Sequence, residues 1–536
     1  MIIGTHLAKA KLKESYDAII IGSGLGGLTC AALLAKHGKK VLVVEKHYTA
    51  GGMTHVYSRK GYEWDVGLHY IGRVHHENST LRRLFDEVTD HQLKWQKMGP
   101  VYDNIVLGNE EFQLVAGRKN FIKKMKEYFP KEHEAIEQYI ALVKKVNRGT
   151  PSYFIQKTLP RWARVLSKPF LGKTFLKYAA KTTDEVLSEL TSDQKLKAVL
   201  TGQWGDYGLP PKQSPFAMHA MVADHYLDGG NYPIGGGSKI AETIEQMIRK
   251  YDGEVITSAP VKEILIERHQ AVGVVLDNGT KIRAKQVISN AGLINTYEHL
   301  IPEVYAEKLG LSKILKPLSY SEGHYCLYIG LKGNAEELKL ATTNQWLYLD
   351  EHHDENVEKF LKDPSGEIPL VYISFPSAKD PSWDSRYPGK STIEMIALSS
   401  YDWFKEWENT SWKKRGADYN QHKEDFCQKL LQTLYKRFPQ LEGKVDFYEL
   451  STPLSTKHFA NYQRGEIYGL NHDYSRFASQ ISTRSPLKNL FLTGQDVATC
   501  GISAVIVAGA LTALSILGYR KGSGIMDLIT PKKKKE

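Results

Sequence analysis

The most informative pattern of hydrophobic and polar positions lies near the N-terminus, where apolar runs flank a glycine-rich turn. Residues 18–21 are Ala-Ile-Ile-Ile, which is typical of a strand buried in a parallel sheet. A glycine-rich turn at residues 22–27 then opens an apolar segment of helical length at residues 28–36. Residues 41–44, Val-Leu-Val-Val, predict a second buried strand, and Glu45 stands at its end. This order predicts a nucleotide-binding α/β unit.

The glycines of this turn have separate physical roles in a G-x-G-x-x-G motif. Gly22 permits a tight turn, Gly24 lets the backbone approach a pyrophosphate, and Gly27 lets the helix pack closely on the strand. The phosphates then lie at the N-terminus of the helix, where backbone amides and the helix dipole favour an anion. Glu45 is placed to accept hydrogen bonds from an adenosine ribose. The motif therefore predicts dinucleotide binding rather than an empty structural turn.

Later hydrophobic patterns predict that distant parts of the chain complete the same domain. A second glycine turn at residues 236–238 enters an amphipathic helix, after which short alternating strands follow. The predicted strands cover residues 254–257, 261–267, 271–276, 286–289 and 488–493. We expect those at residues 254–289 to form a small sheet that returns to the nucleotide-binding domain. The uncharged segment at residues 497–518 could span a bilayer by length, but its small and polar residues favour a buried helix that contacts the cofactor.

The length of the chain predicts two intimately joined domains, because 536 residues exceed the size at which one core usually keeps growing. The predicted fold class is α/β, with a Rossmann-type dinucleotide-binding domain and an interleaved α+β substrate domain. The predicted dinucleotide-binding domain is discontinuous and covers residues 1–75, 233–295 and 447–536. The predicted substrate-binding domain covers residues 76–232 and 296–446.

The composition is that of a folded, enzyme-sized protein. Hydrophobic residues make up 42% and charged residues 24% of the chain, which argues against wholesale disorder. The net charge of +11 suggests attraction to anionic surfaces, but no nucleic-acid-binding motif accompanies it. The four cysteines are far apart, so neither a metal site nor a redox disulfide is indicated, and a reducing compartment fits best. The glycine spacing assigns the N-terminal apolar run to the fold, and no cleaved signal is expected.

A second glycine pair indicates which dinucleotide binds. Residues 49–52, Thr-Ala-Gly-Gly, follow soon after Glu45. This extension resembles the one found in flavin-dependent oxidases, desaturases and reductases of the amine oxidase and phytoene desaturase superfamily. Nothing else in the sequence combines a strand, G-x-G-x-x-G and a helix, so a separate nicotinamide-binding domain is not evident. FAD is therefore favoured over NAD as the cofactor.

Several longer segments resemble the retinol saturase (all-trans-retinol 13,14-reductase) and carotenoid isomerase branch of the FAD-dependent phytoene desaturase superfamily. The segments are Glu-Lys-His at residues 45–47, Gly-Gly at 51–52, YEWDVGLHYIG at 62–72, WGDYGLPP at 204–211, His-Tyr at 225–226, Tyr-Pro at 232–233, VISNA at 287–291 and LTGQD at 492–496. The resemblance covers nearly the whole chain and implies a fold like that of the amine oxidases and GDP-dissociation inhibitors. It implies that Asp496 bonds the FAD ribityl chain and that Val261 contacts the adenine. The candidate FAD-binding residues are Gly22, Gly24, Gly26, Gly27, Glu45, Lys46, Gly51, Gly52, Met53, Val261, Gly494, Asp496 and Ile502.

The family implies flavin chemistry on a carbon–carbon double bond of a lipophilic polyene, either a retinoid or a carotenoid. Saturation of such a bond needs a hydride from reduced flavin at one carbon and a positioned acid at the other. His69 and Tyr70 are the preferred proton donors, since a neutral imidazole or phenol can donate without burying a lasting charge. Packing roles stay open for both, as they do for His219 and His225. Asp65 is either a functional group or the cap of a turn.

A long apolar substrate also requires a deep apolar tunnel, and aromatic residues in the middle of the chain are candidates for its wall. The candidates are Phe154, Trp162, Phe170, Phe175, Trp204, Tyr207 and Tyr226. Each of them could instead be an ordinary core residue, because most buried aromatic side chains pack without touching a ligand.

Residues 162–178 interleave bulky apolar side chains with Arg164, Lys168, Lys173 and Lys177. This pattern predicts a peripheral surface that lies on an anionic membrane and admits lipid, with a solvated basic surface as the alternative. The lysine run at residues 532–535 resembles a retrieval signal of the endoplasmic reticulum or forms a disordered tail. The expected location is a peripheral site on the cytoplasmic side of a membrane, that of the endoplasmic reticulum in a eukaryote.

The leading hypothesis is an FAD-dependent oxidoreductase that reduces a carbon–carbon double bond of a polyene with electrons from an unidentified donor. A carotenoid cis-trans isomerase or desaturase would use the same fold and a similar tunnel. A non-catalytic isoprenoid-binding escort protein of the GDP-dissociation-inhibitor type would also share the fold, but the complete glycine set and Glu45 weigh against it. An amine oxidase is less favoured than either.

Overall fold

The computed structural model describes residues 2–167, 170–479 and 481–530. The strands are β1 (Thr5–His6), β2 (Ser15–Ile21), β3 (Val41–Val44), β4 (Val56–Arg59), β5 (Tyr62–Asp65), β6 (Ile71–Gly72), β7 (Trp95–Lys97), β8 (Val101–Leu107), β9 (Glu110–Val115), β10 (Gly230–Pro233), β11 (Glu254–Thr257), β12 (Val261–Glu267), β13 (Gln270–Leu276), β14 (Lys281–Ser289), β15 (Gly323–Lys332), β16 (Asn344–Tyr348), β17 (Leu370–Ser374), β18 (Lys390–Ser399), β19 (Val445–Ser451) and β20 (Leu490–Leu492). The helices are α1 (Leu25–Lys36), α2 (Thr80–Val88), α3 (Arg118–Tyr128), α4 (His133–Gln156), α5 (Arg161–Ser167), α6 (Lys173–Ala179), α7 (Thr183–Ser188), α8 (Gln194–Thr201), α9 (Phe216–Tyr226), α10 (Ser238–Lys250), α11 (Glu303–Leu309), α12 (Leu311–Leu315), α13 (His353–Lys362), α14 (Pro376–Lys379), α15 (Trp383–Arg386), α16 (Ala417–Arg437), α17 (Pro453–Ala460), α18 (Tyr474–Ala478), α19 (Ile502–Lys521) and α20 (Ser523–Ile529).

The first sheet brings together strands from three distant parts of the chain. Its order is β1-β11-β3-β2-β14-β13-β12, and β20 pairs with β14. β2 pairs in parallel with both β3 and β14, so that Ile20 lies opposite Val43 and Ile288. Ile20 packs in one hydrophobic cluster with α1, whereas Ile19 and Ile21 pack in a second cluster on the other face. Burial on both faces is the reason why these strands are continuous aliphatic runs.

The strands expected at residues 254–289 do not form a separate small sheet. β11 pairs with β3 and β14 pairs with β2, while β13 and β12 extend the same sheet as antiparallel neighbours. Val287 and Ile288 of β14 are fully buried, so this strand takes a central position with β2 and β20 beside it. The hairpin signal in the sequence was correct, but the apolar end of β14 belongs to the core of the main sheet.

The second sheet has the order β19-β15-β18-β17-β16-β8-β9. Its pairs are antiparallel except for β16 and β8, which run in parallel. α16 packs against this sheet, since Phe426 and Leu430 share a hydrophobic cluster with Leu327 and Ile393. β19 straddles the predicted domain boundary at residue 447 and pairs with β15 in this second sheet. The exact domain boundaries stay a prediction.

α19 packs against α1 next to the N-terminal glycine turn. Gly509 of α19 lies so close that a Cβ atom there would be 2.5 Å from the carbonyl oxygen of Gly26. Within the described residues, α19 is the one helix whose length and composition would let it cross a membrane, but half of its most apolar stretch is buried in the fold. The predicted helix is thus present as a core element, and it begins at Ile502 rather than at residue 497.

Candidate functional site

A cavity of about 1730 Å³ is lined by residues from both sheets and from α4, α9 and α19. One end is formed by the glycine turn, the end of β3 and residues 494–502. The volume exceeds the roughly 300–1,000 Å³ of a site for one drug-sized ligand. The cavity is therefore large enough for two ligands, such as a dinucleotide and a substrate.

The glycine turn has the backbone geometry that its sequence predicts. Gly22 has φ of +91° and donates its N–H to the carbonyl oxygen of Val44 at 2.8 Å. A Cβ atom at Gly27 would overlap the Gly22 carbonyl oxygen, so Gly27 lies in the helix–strand contact and not on the cavity wall. Gly24 lies on the wall and forms a bridge with Gly51. The first turn of α1 thus presents its N-terminus to the cavity, which suits an anion.

Four glycines leave room in front of this helix end. A Cβ atom at Gly26 would be 2.9 Å from the Cα atom of Gly494, and one at Gly52 would be 2.8 Å from the Cα atom of Gly24. The side-chain amide of Asn290 lies among them, 2.8 Å from the Cβ position of Gly24. Side chains at these positions would collide with the neighbouring backbone or with Asn290, so only glycines let these segments approach one another closely at the cavity wall.

Glu45 is held at the cavity wall by neighbouring hydrogen-bond donors. Its Oε2 accepts hydrogen bonds from the Ser23 backbone N–H at 2.8 Å and from the Ser23 hydroxyl at 2.7 Å. Its Oε1 accepts from the His47 backbone N–H at 2.7 Å. The Gly51 N–H in turn donates to the Ser23 hydroxyl at 3.1 Å, which joins the two glycine segments. Ser23 is therefore a positioning residue that the motif did not predict.

The C-terminal segment places a second carboxylate on the wall of the cavity. Asp496 accepts backbone N–H groups from Leu293 at 2.6 Å and from Leu470 at 3.2 Å. Lys46 also lines the cavity, and its ammonium donates to the side-chain oxygen of Asn461 at 2.9 Å. The other predicted cofactor residues on the wall are Gly22, Gly24, Gly26, Glu45, Gly51, Gly52, Met53, Val261, Gly494 and Ile502. The structure thus gathers every predicted FAD-binding residue around one cavity end except Gly27, and the glycine cradle fits a pyrophosphate.

His69 lies on the cavity wall and is held by a buried carboxyl group. Its Nδ1 lies 2.8 Å from Oε2 of Glu394, which is fully buried on β18. Burial, together with the nearby Lys379 ammonium, lowers the pKa of His69 to about 4, so the ring is neutral at neutral pH. Burial raises the pKa of Glu394 to about 8. A protonated Glu394 therefore donates to Nδ1 and leaves Nε2 as the N–H of the ring.

Lys379 is the cation behind this wall. Its ammonium donates to the His69 carbonyl oxygen at 2.9 Å, to the Ser374 hydroxyl at 2.8 Å and to the side-chain oxygen of Asn344. Burial lowers the pKa of Lys379 to about 8. Asp65 lies nearby and accepts hydrogen bonds from the Tyr232 hydroxyl and the Gly237 N–H, and its pKa is raised to about 7 by burial and by Glu394. Asp65 therefore both secures a glycine turn and belongs to a buried charged network.

Tyr70 lies next to His69 on the wall and belongs to the same polar network. Its hydroxyl lies 2.9 Å from Oδ2 of Asp103 and 3.2 Å from Oδ2 of Asp206. The ring stacks on Tyr226, with ring centres 4.1 Å apart and planes inclined by 10°. Asn344 links the two halves of the network, because it accepts from Lys379 and donates to Oδ1 of Asp103 at 2.8 Å. The two predicted donors are thus connected through buried groups.

Only some of the aromatic residues predicted for the tunnel reach the cavity. Phe154 and Tyr226 line it, whereas Phe175, Trp204 and Tyr207 are buried away from its wall. Trp162 and Phe170 lie on the surface with 70% and 83% of their area exposed. Together with Tyr226, the apolar wall is formed by Phe154, Ile155, Met218, Met221, Val222, Val507, Leu511 and Ile529, and by Trp346, Tyr372 and Tyr468. Hydrophobicity predicts burial, but it does not distinguish a cavity wall from a filled core.

The remaining histidines that the sequence singled out have structural partners. His219 is buried between the Tyr139 hydroxyl at 2.8 Å and the Tyr207 hydroxyl at 3.2 Å. His225 lies on the cavity wall and accepts the Gly72 N–H at 2.8 Å through Nε2. No group of three or more His, Cys, Asp or Glu side chains that could hold a metal ion occurs in the part of the chain that the structure describes.

Sequence reasoning missed the four buried ionisable groups around His69 and Tyr70. These groups are Asp103, Asp206, Lys379 and Glu394. A signal existed for two of them, because Asp103 and Glu394 are the single acidic residues of β8 and β18, two strands that are mostly buried. A buried acid that interrupts a strand requires partners, and such acids are common at functional sites.

Comparison with known proteins identifies the class. A family model described as flavin containing amine oxidoreductase matches residues 25–517. The chain belongs to this family, and it is an FAD-dependent oxidoreductase. An oxidoreductase from Methanosarcina mazei has the same fold, with a TM-score of 0.59 and 17% identity over 93% of this chain and 99% of that one.

More similar sequences place the chain within the family. All-trans-retinol 13,14-reductase from Danio rerio is 37% identical over 528 residues, which cover 95% of this chain and 87% of that protein. The human protein of the same name is 38% identical over 97% of this chain and 88% of its own length. The chloroplastic prolycopene isomerase of Arabidopsis thaliana is more distant, at 27% identity over 96% of this chain and 85% of that protein.

Proposed function

We propose that this protein is an FAD-dependent reductase that saturates a carbon–carbon double bond of a lipophilic polyene. The carrying observation is the continuity of the cavity, in which the glycine cradle for FAD shares one space with an apolar wall from α4, α9, α19 and α20. Similarity to the retinol 13,14-reductases supports a retinoid or a related polyene as substrate. The weaker similarity to prolycopene isomerase favours reduction over isomerisation.

The protein's own residues would perform binding, orientation and proton transfer. The cradle with Glu45 and Asp496 would hold FAD, which in its reduced form supplies a hydride. The apolar wall would orient the polyene and exclude water, so that the hydride is not lost to solvent. The second hydrogen of a saturated bond arrives as a proton, and we propose that it comes from the polar side of the cavity, where His69 and Tyr70 are the predicted donors.

Product analysis tests this function. The purified protein is incubated without oxygen with reduced FAD and either all-trans-retinol or lycopene. We expect a product that is heavier by two hydrogens and absorbs at shorter wavelength, because one conjugated double bond is lost. Gly24→Val, whose added side chain would enter the cradle, should give no product, whereas Gly524→Ala on the exposed face of α20 should act as wild type.

Two other outcomes would replace the proposal. A product of unchanged mass but altered chromatographic retention would establish an isomerase. A protein that purifies without flavin and does not take up FAD, yet binds a polyene, would be the escort protein. The electron donor is identified by the same assay when NADPH or NADH, with oxidised FAD, replaces the reduced FAD.

We also propose a peripheral membrane location for this protein, on the cytoplasmic side of a membrane. The support is a cluster of exposed apolar side chains on and after α5, formed by Trp162, Val165, Leu166 and Phe170. Exposed clusters of this kind are uncommon on soluble surfaces and suit the interface of a bilayer. Lys173 on α6 and Lys177 are exposed beside them and suit anionic lipid. Lys168 and the lysine run at residues 532–535 lie outside the described residues.

A further inference from the structure

Asp206 is a cavity-facing acid to which neither the sequence nor the similarity to known proteins assigns a role. It ends a short 3₁₀ turn, Trp204–Asp206, and lies on the cavity wall beside Tyr70. Its backbone carbonyl oxygen is 3.4 Å from the Cys500 sulfur, and Cys500 follows the predicted ribityl contact Asp496 along the same wall. Asp206 therefore lies where the apolar wall meets the segment that would hold the flavin.

The hydrogen bonds around Tyr70 determine where the protons are. Asp103 accepts from the Asn344 amide at 2.8 Å and from the Gln203 amide at 2.7 Å, and its Oδ2 lies 2.9 Å from the Tyr70 hydroxyl. Burial raises the pKa of Asp103 to about 6, and the three donors limit that rise, so Asp103 is mostly ionised at neutral pH. The Tyr70 hydroxyl has a single hydrogen, and the shorter contact assigns it to Asp103.

Asp206 then needs a proton of its own. Among the described residues, the carboxyl group of Asp206 has one hydrogen-bond contact, which is the Tyr70 oxygen at 3.2 Å. The hydrogen of Tyr70 is already donated to Asp103, so an ionised Asp206 would face the Tyr70 oxygen without any proton between them. A protonated Asp206 instead donates to this oxygen. Burial and the charge of Asp103 act in the same direction, and they raise the pKa of Asp206 well above its ordinary value.

The chemical types of the three cavity-facing groups favour the carboxylic acid as proton donor. His69 is a neutral imidazole, because its pKa is lowered to about 4, and burial raises the pKa of the Tyr70 phenol. Neither group gives up a proton readily at neutral pH. A protonated carboxyl group gives up its proton more readily than a neutral imidazole or a phenol does, so Asp206 is the most effective general acid of the three.

We propose that Asp206 is the general acid that protonates the substrate carbon and that Tyr70 is the positioning residue that holds it. The proposal rests on the proposed polyene reduction. The Asp206 O–H bond breaks and a C–H bond forms at the carbon next to the one that receives the hydride of reduced FAD. The substrate thereby gains both hydrogens, and Asp206 is left as a carboxylate. Water that enters after product release returns the proton.

The environment of Asp206 contains one further charge besides Asp103. The titratable groups that face it from the surrounding elements are Tyr70, Asp103, Tyr207, Tyr226, Tyr348, Tyr372, Tyr468 and Cys500. The tyrosines and the cysteine are neutral at neutral pH, because burial raises their pKa values further. Lys379 is the nearby cation, bound to Asp103 through Asn344.

Because the proposed acid is the protonated form of Asp206, activity should fall as the pH rises and Asp206 loses its proton.

Infrared spectroscopy tests the protonation without any turnover. The carbonyl stretch of a protonated carboxyl group is recorded at neutral pH in the wild type, in Asp206→Asn and in Asp354→Asn. Asp354 is the matched control, since its pKa is raised to about 6 by burial while it lies outside this cavity. Glu394 is also protonated and contributes to this absorption, so we expect Asp206→Asn to remove one component of it and Asp354→Asn to retain all components. A spectrum unchanged by Asp206→Asn would overturn the proposal.

Single-turnover kinetics tests the chemical role. We expect Asp206→Asn to keep FAD content and polyene affinity but to lower the rate of saturation by ~10²–10⁴-fold. Asp206→Glu, which restores an acid, should recover part of that loss. Tyr70→Phe should lower the rate less and move the alkaline limb of the pH profile to lower pH, because Asp206 loses the hydrogen bond that holds its proton. Asp354→Asn should turn over as wild type.

The outcomes separate this inference from the proposed function. If wild type saturates the polyene and Asp206→Asn, with full FAD content, does so at the same rate, Asp206 is not the acid although the function stands. If Asp206→Asn loses the fold, Tyr70→Phe decides, and an unchanged pH profile in that variant overturns the positioning role. If wild type saturates no polyene, the proposed function has failed, and the infrared result still reports on the proton of Asp206.

Discussion

Three helical glycines allow the tight contact between the N-terminal glycine turn and the C-terminal segment to be tested by adding a single methyl group. Gly26 and Gly27 lie in α1, and Gly524 lies in α20. A Cβ atom at Gly26 would be 2.9 Å from the Cα atom of Gly494 and 3.0 Å from the side-chain oxygen of Asn290. At Gly27 it would overlap the Gly22 carbonyl oxygen, and at Gly524 it would meet nothing within 4 Å.

The expected magnitudes follow from two opposing terms. Replacing a helical glycine by alanine stabilises a helix by roughly 0.5–1 kcal/mol. Forcing a methyl group into a filled space costs about 1–3 kcal/mol when backbone has to move. Gly524→Ala should therefore stabilise the protein by roughly 0.5–1 kcal/mol, because it gains the helix term without a clash. Gly26→Ala should change the free energy of unfolding by between zero and a loss of ~2 kcal/mol. Gly27→Ala should destabilise the protein most, because its methyl group would clash with a backbone oxygen at the turn itself.

The two effects are separated by measuring unfolding and binding on the same variants. Urea unfolding of the apoprotein gives the free energy of unfolding, and titration with FAD gives the dissociation constant. Gly26 and Gly494 both line the cavity, so displacing one from the other should weaken FAD binding by at least ~10-fold, or about 1.4 kcal/mol. Gly524→Ala should leave FAD affinity unchanged because it lies outside the cavity.

One result would refute this reasoning directly. If Gly26→Ala gained the same stability as Gly524→Ala and bound FAD as wild type does, α1 and the Gly494 segment would not be in the contact described. If Gly27→Ala also behaved as wild type, the close packing of α1 on the turn after β2 would be wrong as well.

Three further predictions concern the cofactor, the membrane and acid stability. Denaturation should release FAD, because no covalent attachment is indicated, and flavin that precipitates with the polypeptide would contradict this. Lys173→Gln and Lys177→Gln should each weaken binding to phosphatidylserine liposomes by ~1 kcal/mol at low salt. Trp162→Ser should weaken this binding at high salt as well. If the variants sediment with liposomes as wild type does, this surface is not the membrane contact. Burial lowers the pKa of His219 to about 3, so its neutral ring contributes stability that is lost as the pH falls below 6.5. In urea unfolding at pH 5.5, the free energy of unfolding of wild type should have fallen by about 1.4 kcal/mol relative to that of His219→Gln.

The nucleotide-binding unit was predictable because its contacts are local in sequence. The turn at Gly22, the start of α1 and the acid at the end of β3 are set by residues within one β-α-β segment. The buried helix near the C-terminus was predicted from its small and polar residues, although its length and composition alone would also let it cross a membrane; the structure shows half of its most apolar stretch buried in the fold. The prediction of a small sheet was wrong, because strand order depends on which apolar faces meet, and β14 pairs with β2 and β20.

The polar side of the cavity could not be predicted in the same way. Tyr70, Asp103 and Asp206 lie far apart in the chain, and the hydrogen bonds between them depend on distances that only packing determines. The sequence indicated His69 and Tyr70 by chemical type, and they do lie side by side on the cavity wall, but the groups that control their protons were not visible. A single acid in a strand that is mostly buried was the available signal, as for Asp103 in β8 and Glu394 in β18.

The sequence by itself determined a Rossmann-type dinucleotide-binding fold, because glycine spacing and hydrophobic period are local consequences of backbone sterics and helix geometry, and its resemblance to a flavoprotein family indicated FAD. Only the tertiary structure decided which aromatic residues line the cavity, which carboxyl groups meet at the Tyr70 hydroxyl and where Lys379 lies relative to them. These properties depend on burial and on Coulomb interactions between residues distant in the chain, and both are set only when the two sheets pack around one cavity.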